Sequence, residues 1–183
     1  RTYLILFLFF TPLIAFNQFN STYTLKILGV VQDGGFPHLG SDRICCEDFE
    51  QNRYVTSVML INNETNESYL FDASPDINKQ LNFMGKGIKK NLKGIFLTHA
   101  HIGHYTGLMY FGREALNSKL MKVYAMPKMK KFLEQNGPWS QLVSLQNISI
   151  TELSNNSMIE IDSGIVIQPI EVPHRAEFSE TVG

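Results

Sequence analysis

Three histidines fall within six residues of one another, at His99, His101 and His104, in the frame H-x-H-x-x-H, and the chain holds five histidines in all. Imidazole is a common ligand for zinc and iron, and a catalytic metal site uses about three protein donors while leaving one position open. One histidine on such a stretch reads as a cap or a hydrogen-bonded residue. Three in this frame read as a metal site. His174 is another candidate donor, placed directly after Pro173.

The elements around these residues must aim them at one point. Side chains two apart on an extended segment share a side, so His99 and His101 converge as a strand over Ile95–Thr98 runs out. Gly103 allows a turn, and a helix expected over Tyr105–Asn117 brings His104 back to the same region. Upstream, Thr22–Val31 reads as a strand running into a tight turn at Gln32-Asp33-Gly34-Gly35. Tyr54–Ile61 and Ser68–Phe71 read as a hairpin across a polar loop. Asp72 ends the second of these strands. Helical spacing at Ile77, Leu81 and Met84 follows, and then a basic connector over Lys86–Lys93. Further along, Met121–Met126 reads as a strand, and Pro127–Gln135 and Pro138–Leu145 as helices. Ile148–Leu153, Met158–Ile161 and Gly164–Val172 read as strands. Groups of strands separated by helices imply a layered α/β (α+β) architecture without internal repeats.

Length and composition set the outer limits. At 183 residues and 44% hydrophobic content the chain is long enough for one domain with a packed core. A net charge of −1 gives no electrostatic reason to expect nucleic acid or an anionic membrane as partner. A small-molecule substrate is the expected partner, and the oligomeric state is open. The opening Arg1 is followed by LILFLFFTPLIAF, an apolar run shorter than the ~18–20 residues that span a bilayer and of signal-peptide length. Residues 1–20 are therefore expected to be an export leader or N-terminal anchor, and 21–183 the domain, in a periplasmic or extracellular setting. The start at Arg1 and the stop at Gly183 within a motif lead to the expectation of a fragment, with the C-terminal part of the domain missing. The two cysteines, Cys45 and Cys46, are adjacent and do not form an ordinary disulfide without strain. They are either a thiol pair or, with His38, donors to a structural metal one ligand short of a closed site.

The stretch LTHAHIGH followed by YTGL resembles the metallo-β-lactamase signature H-x-H-x-D-H. QDGGFPH at Gln32–His38, LFDASPD at Leu70–Asp76, NGPW at Asn136–Trp139 and VPHRAEFSETVG at the end resemble its PqqB-like branch, related to the B protein of pyrroloquinoline quinone biosynthesis. The resemblance covers Leu25–Gly183 and implies a four-layer αββα sandwich. It implies that His99, His101 and His174 hold a first metal. The resemblance also implies a structural zinc held by a cysteine cluster in the loop of Cys45 and Cys46, with Ser41 standing where relatives often carry another cysteine. Asp72 is implied to brace the metal-binding loop, and a cap for the following helix is its other reading.

At one position the chain departs from the signature: Gly103 stands where an aspartate is expected. The family's second metal would use that aspartate, His104 and a histidine beyond Gly183. Either one metal suffices, or another acid reaches in, and restoring a carboxylate at Gly103 would be expected to raise the stoichiometry from one toward two. Asp33, in a glycine-flexible loop, is the candidate acid, with a plain turn residue as its other reading. His104 and Asp33 are the residues expected to act in catalysis.

The implied function is metal-dependent hydrolysis of a small ester, phosphodiester or lactam. One or two zinc ions are expected, with iron as the alternative metal. A metal in such a site lowers the pKa of bound water from about 15.7 toward about 7. Two other classes stand beside it: an iron-dependent oxidase or hydroxylase, and a non-catalytic metal-binding protein.

Overall fold

A computed structural model describes residues 21–43, 53–85, 87, 90–175 and 177–183. The apolar leader and the Cys45–Cys46 pair lie outside the described residues. Six strands form one sheet in the order β1 (Tyr23–Gly29), β2 (Ser57–Asn62), β3 (Ser68–Phe71), β4 (Leu92–Phe96), β5 (Met121–Ala125) and β6 (Ile148–Glu152). The first three run antiparallel and the last three continue parallel to β3.

Alternation along the strands sends two apolar sets to opposite faces. Met59, Leu70, Ile95 and Val123 face a layer of helices, where Ile77, Leu81, Leu108, Phe111 and Leu133 complete the main core. That layer is built from α1 (Ile77–Phe83), α2 (Ile102–Tyr105), a 3₁₀ helix (Thr106–Phe111), α3 (Pro127–Gln135) and α4 (Trp139–Ser144). On the opposite face Phe71, Phe96 and Tyr124 stack with ring centroids 5.3 and 4.3 Å apart. A second sheet, β7 (Ile159–Asp162) with β8 (Ile165–Ile167), covers them, and the Tyr69 hydroxyl donates to the Ile161 carbonyl at 2.6 Å. The described residues thus stack in the order helix, sheet, sheet.

Several expected elements end sooner than the pattern suggests. Strand β1 stops at Gly29 after a bulge, and the amides of Val30 and Val31 both donate to the Tyr54 carbonyl. The helix expected over Tyr105–Asn117 is instead α2 followed by the 3₁₀ helix. Its path is set by close contact with the loop after β3: the Gly107 amide donates to the Ala73 carbonyl at 2.9 Å. A Cβ on Gly107 would lie 2.8 Å from that oxygen, and it would also meet Ser74 O. The strand expected from Gly164 to Val172 shortens to β8, with Gly164 at φ 82° in the preceding turn. Lys93 belongs to β4 and not to a connector, and its Nζ pairs with Glu67 at 2.8 Å.

Candidate metal centre

The ends of β1, β3 and β4 meet at one edge of the large sheet, and the chemistry collects there. Strand β4 delivers Thr98, His99 and His101 just beyond its last residue, and α2 carries His104. The segment after Pro173 passes over them with His174, Arg175 and Glu177. All five histidines of the chain, His38 included, line a single cleft together with Gln32, Asp33, Gly34, Thr56 and Arg175.

Within that cleft His99, His101 and His174 bring one nitrogen each to within 4.8 Å of the other two. His99 Nε2 lies 2.9 Å from His101 Nδ1, and His174 Nε2 lies 3.3 Å from the same atom. Two nitrogens bound to one tetrahedral zinc at 2.0–2.1 Å stand about 3.3–3.4 Å apart. The spacing and the donor type therefore fit a metal ion held by three imidazoles with a position open to the cleft.

The hydrogen bonds behind the ring nitrogens decide which of them present lone pairs. The Thr98 hydroxyl lies 2.8 and 3.0 Å from the two Asp72 oxygens and 2.9 Å from His99 Nδ1. Asp72 as a carboxylate only accepts, so the hydroxyl proton goes to Asp72 and His99 Nδ1–H donates to the hydroxyl oxygen. That arrangement leaves His99 Nε2 as a lone pair aimed at the cluster. Burial, reinforced by the neighbouring His104, His101 and His174, lowers the pKa of His99 to about 4. Its ring is neutral, and so able to ligate, across the physiological range. His101 Nε2 lies 3.4 Å from Glu177 Oε2 and 3.3 Å from Arg175 Nη2, at the outer side of the cluster.

Asp72 organises the loop from below. It is buried and holds φ at 66°, a left-handed conformation that aspartate tolerates better than most residues. The conformation turns its carboxylate from the end of β3 toward the neighbouring loop. There it accepts from the Thr98 amide at 2.8 Å and from His104 Nδ1–H at 2.6 Å. The cap position of α1 belongs to Asp76, not Asp72.

Asp33 occupies the turn expected of it, closed by the Gly35 amide donating to the Gln32 carbonyl at 2.9 Å, and its side chain points into the cleft. Its Oδ1 is 3.0 Å from His104 Nε2, and its Oδ2 is 3.9 Å from His101 Nδ1. Burial acts to lower the pKa of His104, but the hydrogen bond and charge of Asp72, joined by Asp33, outweigh it and raise the value. At Gly103 the geometry corrects one expectation. A Cβ there would lie 2.8 Å from Asp33 Cα and 3.0 Å from its Cγ, and it would also meet Oδ1. The room for an aspartate at this position is already filled by Asp33, so a carboxylate added at Gly103 alone displaces one that is present.

His38 lies at the rim of the same cleft with its ring against Gly34, and Nδ1 is 2.9 Å from the Leu39 carbonyl. Its suggested partners Cys45 and Cys46 lie outside the described residues. The sequence reading missed Thr98, Glu177 and Ser179. Ser179 Oγ accepts from the Ala100 amide at 2.8 Å and donates to the Glu180 carbonyl at 2.8 Å. The Val182 amide donates to the Thr98 carbonyl at 3.1 Å, so the segment carrying His174 is stitched to the one carrying His99. A hydroxyl directly before H-x-H, and a serine and glutamate shortly after His174, were the available signals.

A family model, the beta-lactamase superfamily domain, matches residues 67–183, well over half of the chain. No curated protein matches the sequence. Among solved structures, a diphosphatase from the PhnP family is similar at 24% identity and TM-score 0.66, over 88% of this chain and 60% of that one. Zinc-bound PqqB from Methylobacterium extorquens is similar at 19% identity and TM-score 0.69, over 88% of this chain and 57% of that one. The short form of human tRNase Z is similar at 16% identity and TM-score 0.54, over 86% and 62%. The chain therefore spans about 60% of the length of these solved proteins, and at these identities the likeness is one of fold.

Proposed function

The chain belongs to the β-lactamase superfamily, and from that premise we propose that it is a metal-dependent hydrolase acting on a small ester, phosphodiester or lactam. The observation that carries the reading is the convergence of His99 Nε2, His101 Nδ1 and His174 Nε2 on one point at the floor of an open cleft. A divalent ion held there would act as a Lewis acid and make water a nucleophile near neutral pH. The remaining steps belong to the chain's own side chains.

Thr98 and Asp72 hold His99 in the tautomer that presents Nε2, and Asp72 orients His104 through Nδ1. Asp33 and His104 face the same cleft beside the three-histidine cluster. Arg175, largely exposed at the rim, carries its guanidinium above the floor, paired with Glu177 at 2.7 Å. Among the three substrate classes it favours a phosphodiester, whose anionic oxygens a guanidinium recognises.

The test uses purified full-length protein. Metal content is measured directly, and turnover is followed on bis(p-nitrophenyl) phosphate, p-nitrophenyl acetate and a chromogenic cephalosporin. Zinc with hydrolysis of any one of these supports the reading. Iron without hydrolysis and with oxygen consumption would move the assignment to an oxidase, and a protein that binds no metal would remove it.

A further inference from the structure

His104 and Asp33 confront each other in a way that a folded protein does not leave uncompensated. His104 Nδ1–H is committed to Asp72 at 2.6 Å, so in the neutral ring Nε2 presents a lone pair. That lone pair points at Asp33 Oδ1, itself an acceptor, at 3.0 Å. Two acceptors at hydrogen-bond distance require a cation between or beside them, either a proton or a metal ion. Asp33 Oδ2 reaches in the other direction, to 3.9 Å from His101 Nδ1, one of the three nitrogens of the first cluster. The carboxylate therefore lies between His104 and the three-histidine site.

The distance suits a shared ion. Two donors each about 2.1 Å from one metal and at right angles to each other stand about 3.0 Å apart. Backbone geometry shows how the carboxylate comes to be there: the turn after β1 presses Asp33 against α2 at the point where Gly103 has no side chain. Any other residue at Gly103 would meet the Asp33 main chain, at 2.8 Å from Cα even for alanine.

We infer that Asp33 and His104 are ligands of a second metal position beside the three-histidine site, and that Gly103 is the opening that admits Asp33 to it. The inference rests on the metal-dependent reading above and deepens it. With two protein donors the second position is the weaker one, so it fills after the first and empties first under a chelator. Carboxylate and glycine are then a matched pair contributed by two different loops.

The experiment measures zinc per chain in full-length protein after equilibration and dialysis, with circular dichroism as the check on folding. Wild type is expected to hold two ions, and the near-isosteric Asp33→Asn to hold one. That remaining ion is expected to be lost when His101→Ala is added. Two ions in both wild type and Asp33→Asn would overturn the inference by placing the second ligand elsewhere. One ion in both would overturn it as well, showing a plain histidine–carboxylate pair while leaving the hydrolase reading intact. No ion in wild type would remove both.

Discussion

The Thr98 hydroxyl stands between two groups that need opposite things from it, 2.8 Å from Asp72 Oδ2 and 2.9 Å from His99 Nδ1. It donates to the carboxylate and accepts from the ring, and so passes the preference of a buried acid on to the proton of a histidine. The direction of His99 Nε2 is thus set two residues away from the metal position.

Replacing this hydroxyl by a methyl group isolates that role. Thr98→Val keeps the shape, so the fold should survive while metal affinity falls about 10–100-fold, the usual cost of losing a partner behind a ligating histidine. Chelator competition reads the change, and Thr98→Ser should restore most of it. Equal affinity in the valine variant would show that His99 takes its tautomer from elsewhere.

The H-x-H pair and the strand before it were legible in sequence because both depend on local rules, the two-residue alternation of an extended segment and an apolar run that ends at the site. Helices α3 and α4 were legible for a similar reason, with proline near each start. The 3₁₀ helix was not, because its course follows from Gly107 lying against the Ala73 carbonyl, a contact between segments far apart in sequence. Asp33 was visible as a candidate acid, but its fit against Gly103 was not: that depends on two loops which only the completed sheet brings together.

His101 is the most informative candidate ligand, since its Nδ1 lies 2.9 Å from His99 Nε2 and 3.3 Å from His174 Nε2. His101→Ala should remove most bound metal from the full-length protein while leaving its circular dichroism unchanged. Unaltered metal content would sink the three-histidine assignment.

Gly107 tests the packing that supports the site and not the site itself. Gly107→Ala forces a methyl group against Ala73 O and the Ile77 side chain, the latter at 2.9 Å. Overpacking of this kind costs about 1–3 kcal/mol. Denaturant unfolding should show a loss in that range with an unchanged slope, and a neutral result would mean that the 3₁₀ helix shifts freely away from the loop after β3.

Ser179 ties the segment that carries His174 to the one that carries His99 and His101. It is 2% exposed, and its Oγ is the acceptor for the Ala100 amide, which sits between His99 and His101 in sequence. Ser179→Ala leaves that buried N–H without its partner, at a cost of about 1–3 kcal/mol. The loss should not be spread evenly. The Val182 amide still holds the Thr98 carbonyl, so the end of the segment remains attached while the part nearer His174 loosens. Hydrogen exchange should therefore rise at Ala100 and through residues 177–181 more than at Val182. Metal affinity should fall with it, because His174 is the exposed member of the cluster and depends on its segment for position. If global stability drops but exchange around Ala100 and metal affinity do not change, then Ser179 serves the fold alone and His174 is held in place by other contacts.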